Sequence, residues 1–178
     1  MTILSAFALA VAAVTSPTET PAQIEIPDWE NSVRFELVAS QTPVRPGDAL
    51  ALAVLAELDP GYHLYGPEEA FPTATQVQMV EGGPFAAGEP DYPEPIRRDL
   101  SGLGEYDLYE GEIAIRIPVS ASADVSDPAA AEVLLRYQLC TDNACSAPTS
   151  TTLRLELPVG RDGARVRALH EKIFGAFR

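Results

Sequence analysis

Alternating apolar and polar residues divide most of the chain into short extended segments. Val33, Phe35 and Leu37 are separated by charged Arg34 and Glu36, which is the period of a strand with one buried face. The same period returns further along the chain, and several apolar runs are bounded by Pro, Gly, Asn or Asp, which favour turns. The pattern predicts strands at 33–39, 49–58, 61–66, 113–119, 133–139 and 153–157.

Helical periodicity is nearly absent between residues 33 and 158. Six or seven short strands joined by turns favour an all-β fold, and we expect an immunoglobulin-like β-sandwich over 33–158. The section at 68–104 is rich in Pro and Gly. Since proline cannot donate to a strand ladder, this section is expected to form long connections and no further sheet.

The last twenty residues, 159–178, have a different pattern. Apolar residues recur there at helical spacing among basic ones, which predicts a short C-terminal amphipathic helix. Packing of this helix on its own domain is expected, with a protein partner or anionic lipid as alternatives. The apolar positions are Val166, Leu169, Ile173, Phe174 and Phe177.

The N-terminus carries an apolar run from Ile3 to Val14. It is shorter than the ~20 residues that span a bilayer, but it has the length of the apolar core of a signal peptide. We expect residues 1–22 to comprise a signal peptide and the start of a linker, and residues 23–32 to complete that linker. The alternatives are a buried N-terminal strand and a wrongly chosen start codon. The mature chain is expected to lack a membrane span and to be periplasmic.

Size and charge exclude several function classes. The chain has 178 residues, of which 46% are hydrophobic, enough for one domain with its own core. Its formal net charge is −14. Such a charge repels phosphate backbones and anionic lipid, so nucleic-acid binding is not expected.

The two cysteines, Cys140 and Cys145, are the only ones in the chain. Four residues suited to a turn separate them, so the pair can face each other across a hairpin and form a disulfide. A disulfide closing so short a loop contributes only about 2 kcal/mol of stability. The spacing alone leaves a redox role and a structural role open, because it is not the Cys-x-x-Cys of thioredoxin-like motifs.

Other chemistries find little support in the sequence. The two histidines, His63 and His170, do not by themselves indicate a Ser-His-Asp site. A histidine with the cysteines could bind Cu(I) or zinc, but there is no second cysteine pair. No phosphate-binding glycine motif is present. We therefore predict no cofactor and no metal.

The segment from Tyr137 to Pro148, with the sequence YQLCTDNACSAP, resembles the redox segment of a known family. That family is the N-terminal periplasmic domain of the thiol:disulfide interchange protein DsbD. Gly61-Tyr62-His63-Leu64-Tyr65 is similar to its aromatic strand, and Tyr109-Glu110-Gly111 is similar to the start of the strand that precedes its cysteines. The similarity extends over about 33–158.

The resemblance implies an immunoglobulin-like thiol-disulfide oxidoreductase that passes electrons to or from thioredoxin-fold proteins of the bacterial envelope. In that family the second cysteine forms the mixed disulfide, which implies that Cys145 exchanges and Cys140 resolves. A movable cap loop over the pair, at about 99–106, is also implied. The residues implied to line the redox site are His63, Tyr65, Leu103, Tyr106, Tyr137 and Asp142.

The sequence departs from the family in two respects. Where the best-known member has an aromatic cap tip, this chain has the sequence Leu100-Ser101-Gly102-Leu103-Gly104. The chain also ends at Arg178 without a membrane or thioredoxin domain, so a separate membrane protein is the expected electron donor. The rival hypothesis is a non-catalytic immunoglobulin-like binding or assembly module with a structural disulfide, which solvent access and redox potential would distinguish.

Overall fold

A computed structural model describes residues 27–70, 72–100, 102, 104–161 and 163–175, and the predicted signal peptide lies outside them. Over these ranges the chain is built almost wholly of strands, which confirms the all-β class. The elements are β1 (Val33–Ala39), β2 (Gln41–Thr42), β3 (Ala49–Leu58), β4 (Leu64–Tyr65), β5 (Gln76–Met79), β6 (Phe85–Ala87), β7 (Ile96–Leu100), β8 (Gly104–Tyr109), β9 (Glu112–Ala121), β10 (Ala129–Tyr137), β11 (Thr149–Leu157), β12 (Arg167–Ala168) and α1 (Glu171–Phe174).

The first layer is an antiparallel sheet with the strand order β1-β3-β9-β6. The long apolar run at 49–58 forms β3, which pairs on both sides, with Leu37 opposite Val54 and Val54 opposite Ile115. On β9 the predicted alternation is observed, since Ile115 and Ile117 are 1% exposed while Arg116 between them is more accessible. One face of this sheet is therefore a continuous apolar surface.

The second layer is the sheet β11-β10-β5, which packs against the first. Its central strand, β10, contributes Val133 and Leu135, which are fully buried. These side chains share one core cluster with Leu52 and Ile117 of the first sheet. Two antiparallel sheets enclosing one apolar core form the predicted immunoglobulin-like β-sandwich.

The prediction that 68–104 forms only connections is wrong. Strands β5, β6 and β7 lie within it, and β7 joins β8 and β4 in a further three-stranded sheet. The prolines do not prevent this pairing, because they fall between the strands, where no ladder donor is required. The three strands have only three to five residues each, and β7 has the largely polar sequence IRRDL, so the hydrophobic pattern does not reveal them as strands.

The C-terminal helix is shorter than the pattern predicted. Residues 167–168 form β12 and pair with β2, and among the described residues of the tail only Glu171–Phe174 are helical. Gly160 packs so closely that a Cβ there would lie 2.8 Å from Pro43, so the chain leaves the sandwich in a tight non-helical path. Phe174 is buried on the outer face of the first sheet, whereas Phe177 lies outside the described residues. In the described ranges no helix is long and apolar enough to cross a bilayer.

Candidate functional site

The two cysteines form a disulfide at the end of the β10–β11 hairpin. The Sγ atoms are 2.00 Å apart and the Cα atoms 4.0 Å apart. The residues face each other as an antiparallel bridge, and the amide of Thr141 donates to the carbonyl of Ala144 at 2.8 Å. The four-residue turn that the sequence predicts is therefore formed.

Short-range hydrogen bonds hold this turn. The hydroxyl of Thr141 accepts hydrogen bonds from the amides of Asn143 and Ala144, at 3.3 and 3.2 Å. On the other side, the amide of Leu139 donates to the hydroxyl of Ser146 at 3.2 Å, and the amide of Ser146 donates to the carbonyl of Leu139. These bonds pair backbone amide and carbonyl groups beyond the end of the regular strand pairing, and they fix the position of the disulfide.

The two cysteine residues differ sharply in their exposure to solvent. Cys140 is 0% exposed, whereas Cys145 is an exposed residue on the outer side of the turn. Thiol-disulfide exchange begins with attack of a thiolate on one accessible sulfur. Of the two cysteines, Cys145 is therefore the one that a sulfur from another molecule can reach in this structure.

An apolar and aromatic cluster covers Cys140. It consists of Tyr65, Leu100, Leu108 and Cys140, with the half-buried Tyr106 against it. The rings of Tyr65 and Tyr106 meet edge to face, with centroids 5.5 Å apart. The β7–β8 hairpin supplies three of these residues, so it lies over the buried half of the disulfide.

His63 lies directly beside Cys140 in the backbone pairing. Each residue donates its amide to the carbonyl of the other, at 2.9 and 3.0 Å. His63 is 1% exposed, and its Nε2 has no hydrogen-bond partner in the described part of the chain. Burial lowers the pKa of this imidazole below its usual value, so His63 is neutral at pH 7.

Arg98 joins the β7–β8 hairpin to the turn between the cysteines. Its guanidinium donates to both carboxylate oxygens of Asp142, at 2.7 and 2.9 Å, and also pairs with Glu110. The hydrogen bond to Glu110 is the main reason that the pKa of Arg98 is raised. Sequence reasoning missed this residue, because Arg98 is distant in sequence and stands in a section that lacked a strand pattern.

The structure brings together most of the residues implied to line the site. His63, Tyr65, Tyr106 and Asp142 surround the disulfide, and Leu103 lies outside the described residues. Tyr137 packs elsewhere, with its ring centroid 4.7 Å from that of Phe35. It precedes Cys140 by three residues, a spacing that places side chains of an extended chain on opposite faces.

The site contains lining residues that the sequence did not single out. Leu100 and Leu108 contact the buried half of the disulfide, but as ordinary apolar residues on short strands they carry no chemical signal in the sequence. Among the described side chains, no group of three or more His, Cys, Asp and Glu is placed to hold a metal ion.

The fold and the site define a class: an immunoglobulin-like β-sandwich with a half-exposed disulfide at one end. Residues 32–157 match the family described as "Thiol:disulfide interchange protein DsbD, N-terminal". The match covers well over half of the chain, and the protein belongs to this family. No curated protein sequence matches the chain significantly.

Solved structures with related folds share little sequence with the chain. The N-terminal periplasmic domain of ScsB from Proteus mirabilis superposes with a TM-score of 0.54 at 18% identity, covering 85% of this chain and 54% of that one. The reduced DsbD N-terminal domain of Neisseria meningitidis gives 0.45 at 15% identity, covering 75% and 89%. A structure of the complex between the DsbD and PilB N-terminal domains of the same organism gives 0.43 at 15%, covering 75% and 88%.

Proposed function

We propose that the protein is a periplasmic thiol:disulfide interchange domain that passes electrons through the Cys140–Cys145 pair to or from thioredoxin-fold proteins. The observation that carries this proposal is the asymmetry of the disulfide, with Cys145 exposed and Cys140 fully buried. Membership of the family supports it.

The exchange proceeds in two steps. In the reducing direction, the thiolate of Cys145 attacks a partner disulfide, an intermolecular S–S bond forms, and one partner sulfur leaves with an electron pair. Cys140 then attacks Cys145, the internal disulfide forms, and the second partner sulfur leaves as a thiolate. The partner gains two electrons and the domain loses two. Cys145 is thus the exchanging residue and Cys140 the resolving residue.

The turn itself offers no cation to activate Cys145. The guanidinium that binds the turn, that of Arg98, is already engaged by two carboxylates. A thiol without a nearby cation or helix N-terminus is a weak spontaneous nucleophile at neutral pH. The site therefore suits exchange with a partner that brings its own activated cysteine, as thioredoxin-fold proteins do.

A pair of variants tests the exchange. The variant Cys140→Ser lacks the thiol that would break a mixed disulfide at Cys145. The variant should therefore accumulate such a mixed disulfide with thioredoxin-fold partners in a periplasmic extract. This adduct would be seen as a band shift that dithiothreitol reverses. Cys145→Ser is the matched control and should trap far less, because its remaining sulfur is buried. Equal trapping by both variants, or by neither, would contradict the proposal.

The redox potential provides a second measurement. Exchange requires a pair in equilibrium with thioredoxin or glutathione, in the range of roughly −200 to −270 mV. A pair that resists reduction below about −300 mV would instead identify a structural link in a non-catalytic binding module. Equilibration of the oxidised protein with thioredoxin of known potential measures this value.

The periplasmic location is part of the same proposal. A reversible disulfide requires a compartment that permits oxidation, and the N-terminal apolar run is of signal-peptide length. Fusion of residues 1–32 to alkaline phosphatase, which is active only after export, should give activity in a bacterial host. An inactive fusion would contradict export by this segment.

A further inference from the structure

The buried position of Cys140 creates a chemical requirement that the exchange cycle must meet. In the disulfide form described here, Cys140 is fully buried in a cluster with Tyr65, Leu100 and Leu108, and reduction leaves a thiol at this position. A thiol in apolar surroundings retains its proton, because the thiolate is poorly solvated there. Resolution of a mixed disulfide nevertheless requires the Cys140 thiolate. A proton acceptor inside the cluster would remove this obstacle.

His63 has the properties of that acceptor. It is the cross-strand neighbour of Cys140, and directly opposed residues of an antiparallel pair project from the same face with their Cβ atoms about 5 Å apart. Its Nε2 is buried and has no hydrogen-bond partner in the described structure. Buried polar atoms are rarely left unpaired, and the exceptions are concentrated at functional sites.

We propose that His63 is the general base of the resolving step, accepting the Cys140 thiol proton on Nε2. This inference rests on the proposed exchange function and adds a catalytic residue to it. The proton passes from Sγ of Cys140 to the imidazole, and the resulting thiolate attacks Sγ of Cys145. The internal disulfide forms as the Cys145–partner bond breaks, and the electron pair leaves on the partner's sulfur. The imidazolium then releases its proton to solvent.

The surroundings of His63 keep the imidazole in the form that can accept a proton and favour release of the proton afterwards. Burial favours the neutral imidazole, which is the form able to accept a proton, and also favours release afterwards. Asp142 and Glu110 act in the opposite direction by favouring the imidazolium, whereas Arg98 disfavours it. Tyr65 contacts the imidazole edge to face, with ring centroids 5.4 Å apart.

Reaction of the reduced protein with a stoichiometric amount of 5,5′-dithiobis(2-nitrobenzoate) separates the two steps. Attack by Cys145 releases a first coloured thiolate, and resolution by Cys140 releases a second. For His63→Gln and His63→Phe we expect an unchanged first phase and a second phase slowed by about a hundredfold, the usual contribution of a general base. His170→Asn is the control, since His170 is the other histidine, is exposed and has a positive φ that Asn tolerates.

The pH profile distinguishes a base from a merely structural residue. The second phase of the native protein should vary little around neutral pH. In the His63 variants, which lack the base, the second phase should accelerate about tenfold for each unit that the pH is raised, because only spontaneously formed thiolate reacts. A second phase with the native rate and profile in both His63 variants would overturn the proposal. Absence of the first phase in the native protein would instead count against the exchange function itself.

Nuclear magnetic resonance of the native protein covers the case in which the His63 variants fail to fold. The imidazole nitrogens of His63 should report different protonation behaviour in the oxidised and the reduced protein, because only the reduced form has a thiol proton to share. Identical imidazole titrations in the two redox states would contradict a proton transfer between Cys140 and His63.

Discussion

Arg98 shows how one side chain connects two parts of the site that are distant in sequence. It extends from β7 and binds Asp142 in the turn between the cysteines, while Leu100, two residues further along, covers Cys140. Ion pairs this accessible contribute little to global stability. Their effect is local, and here it keeps the turn against the β7–β8 hairpin.

Loss of the ion pair between Arg98 and Asp142 should affect the disulfide more than the stability of the domain. Arg98→Gln should change the free energy of unfolding by less than about 1 kcal/mol, but should speed reduction of the disulfide by up to about fivefold. The reason is that the turn separates more often from the hairpin. An uncharged trialkylphosphine should be the reductant, because the carboxylates of Asp142 and Glu110, left unpaired, would repel an anionic thiolate.

Arg97→Gln is the matched control for this prediction. Arg97 is the adjacent residue and pairs with Asp107 and Glu105 within its own hairpin, without reaching the turn. Its substitution should leave the reduction rate unchanged. Equal rates for the two variants would show that the ion pair with Asp142 does not restrain the turn.

At the scale of elements, β10 connects the core of the sandwich to the redox site. It lies between β11 and β5, with Val77 opposite Leu135, and the chain continues from it through Leu139 to Cys140. Burial alternates along it, so that Leu135 is fully buried and the neighbouring Leu134 is 38% exposed. The position of the disulfide depends on the packing of this strand.

A pair of substitutions in β10 tests the assignment of its faces. Leu135→Ala removes a fully buried side chain between the two sheets and should lower the free energy of unfolding by about 2–5 kcal/mol. Leu134→Ala should cost no more than about 1 kcal/mol, because its side chain is partly in solvent already. Urea denaturation of the oxidised proteins measures both values, and similar losses would mean that the faces are assigned wrongly.

At the scale of the whole molecule, burial of tyrosines links stability to alkaline pH. Burial raises the pKa of Tyr109 from 10.0 to about 12, and it also raises the pKa values of Tyr65, Tyr92 and Tyr137. Between pH 10 and pH 12 the unfolded chain loses the Tyr109 proton while the folded chain retains it. The unfolded state then binds fewer protons, so stability falls as pH rises.

Tyr109→Phe isolates one contribution to this pH dependence. At neutral pH the variant should be about 1 kcal/mol less stable, because it lacks the hydrogen bond from the hydroxyl to the carbonyl of Pro93. Between about pH 10 and pH 12 the native protein should lose about 2–3 kcal/mol more than the variant, so the difference should shrink or reverse. Urea midpoints at neutral and alkaline pH measure it. A constant difference would show that Tyr109 does not titrate with folding.

Several elements could be predicted from the sequence because their signal is local. The strands β1 and β9 bury one face against a neighbouring layer, which produces the alternation visible at 33–39 and 113–119. Strand β3 is buried on both faces, so it appears in the sequence as a continuous apolar run. The disulfide turn could be predicted for the same reason, since Thr141 to Ala144 satisfy their own backbone. Strands β5, β6 and β7 could not, because they are short and owe their form to pairing with strands elsewhere in the chain.

The sequence by itself determined the fold class, the hairpin and the identity of the two sulfurs, because these depend on residue type and short-range spacing. Only the tertiary structure decided that Cys140 is buried and Cys145 exposed, that Arg98 binds the turn, and that His63, whose Nε2 has no hydrogen-bond partner among the described residues, lies beside Cys140. Solvent access and ion pairing depend on which segments meet. These tertiary contacts join residues that are tens of positions apart in the sequence, and local periodicity carries no information about them.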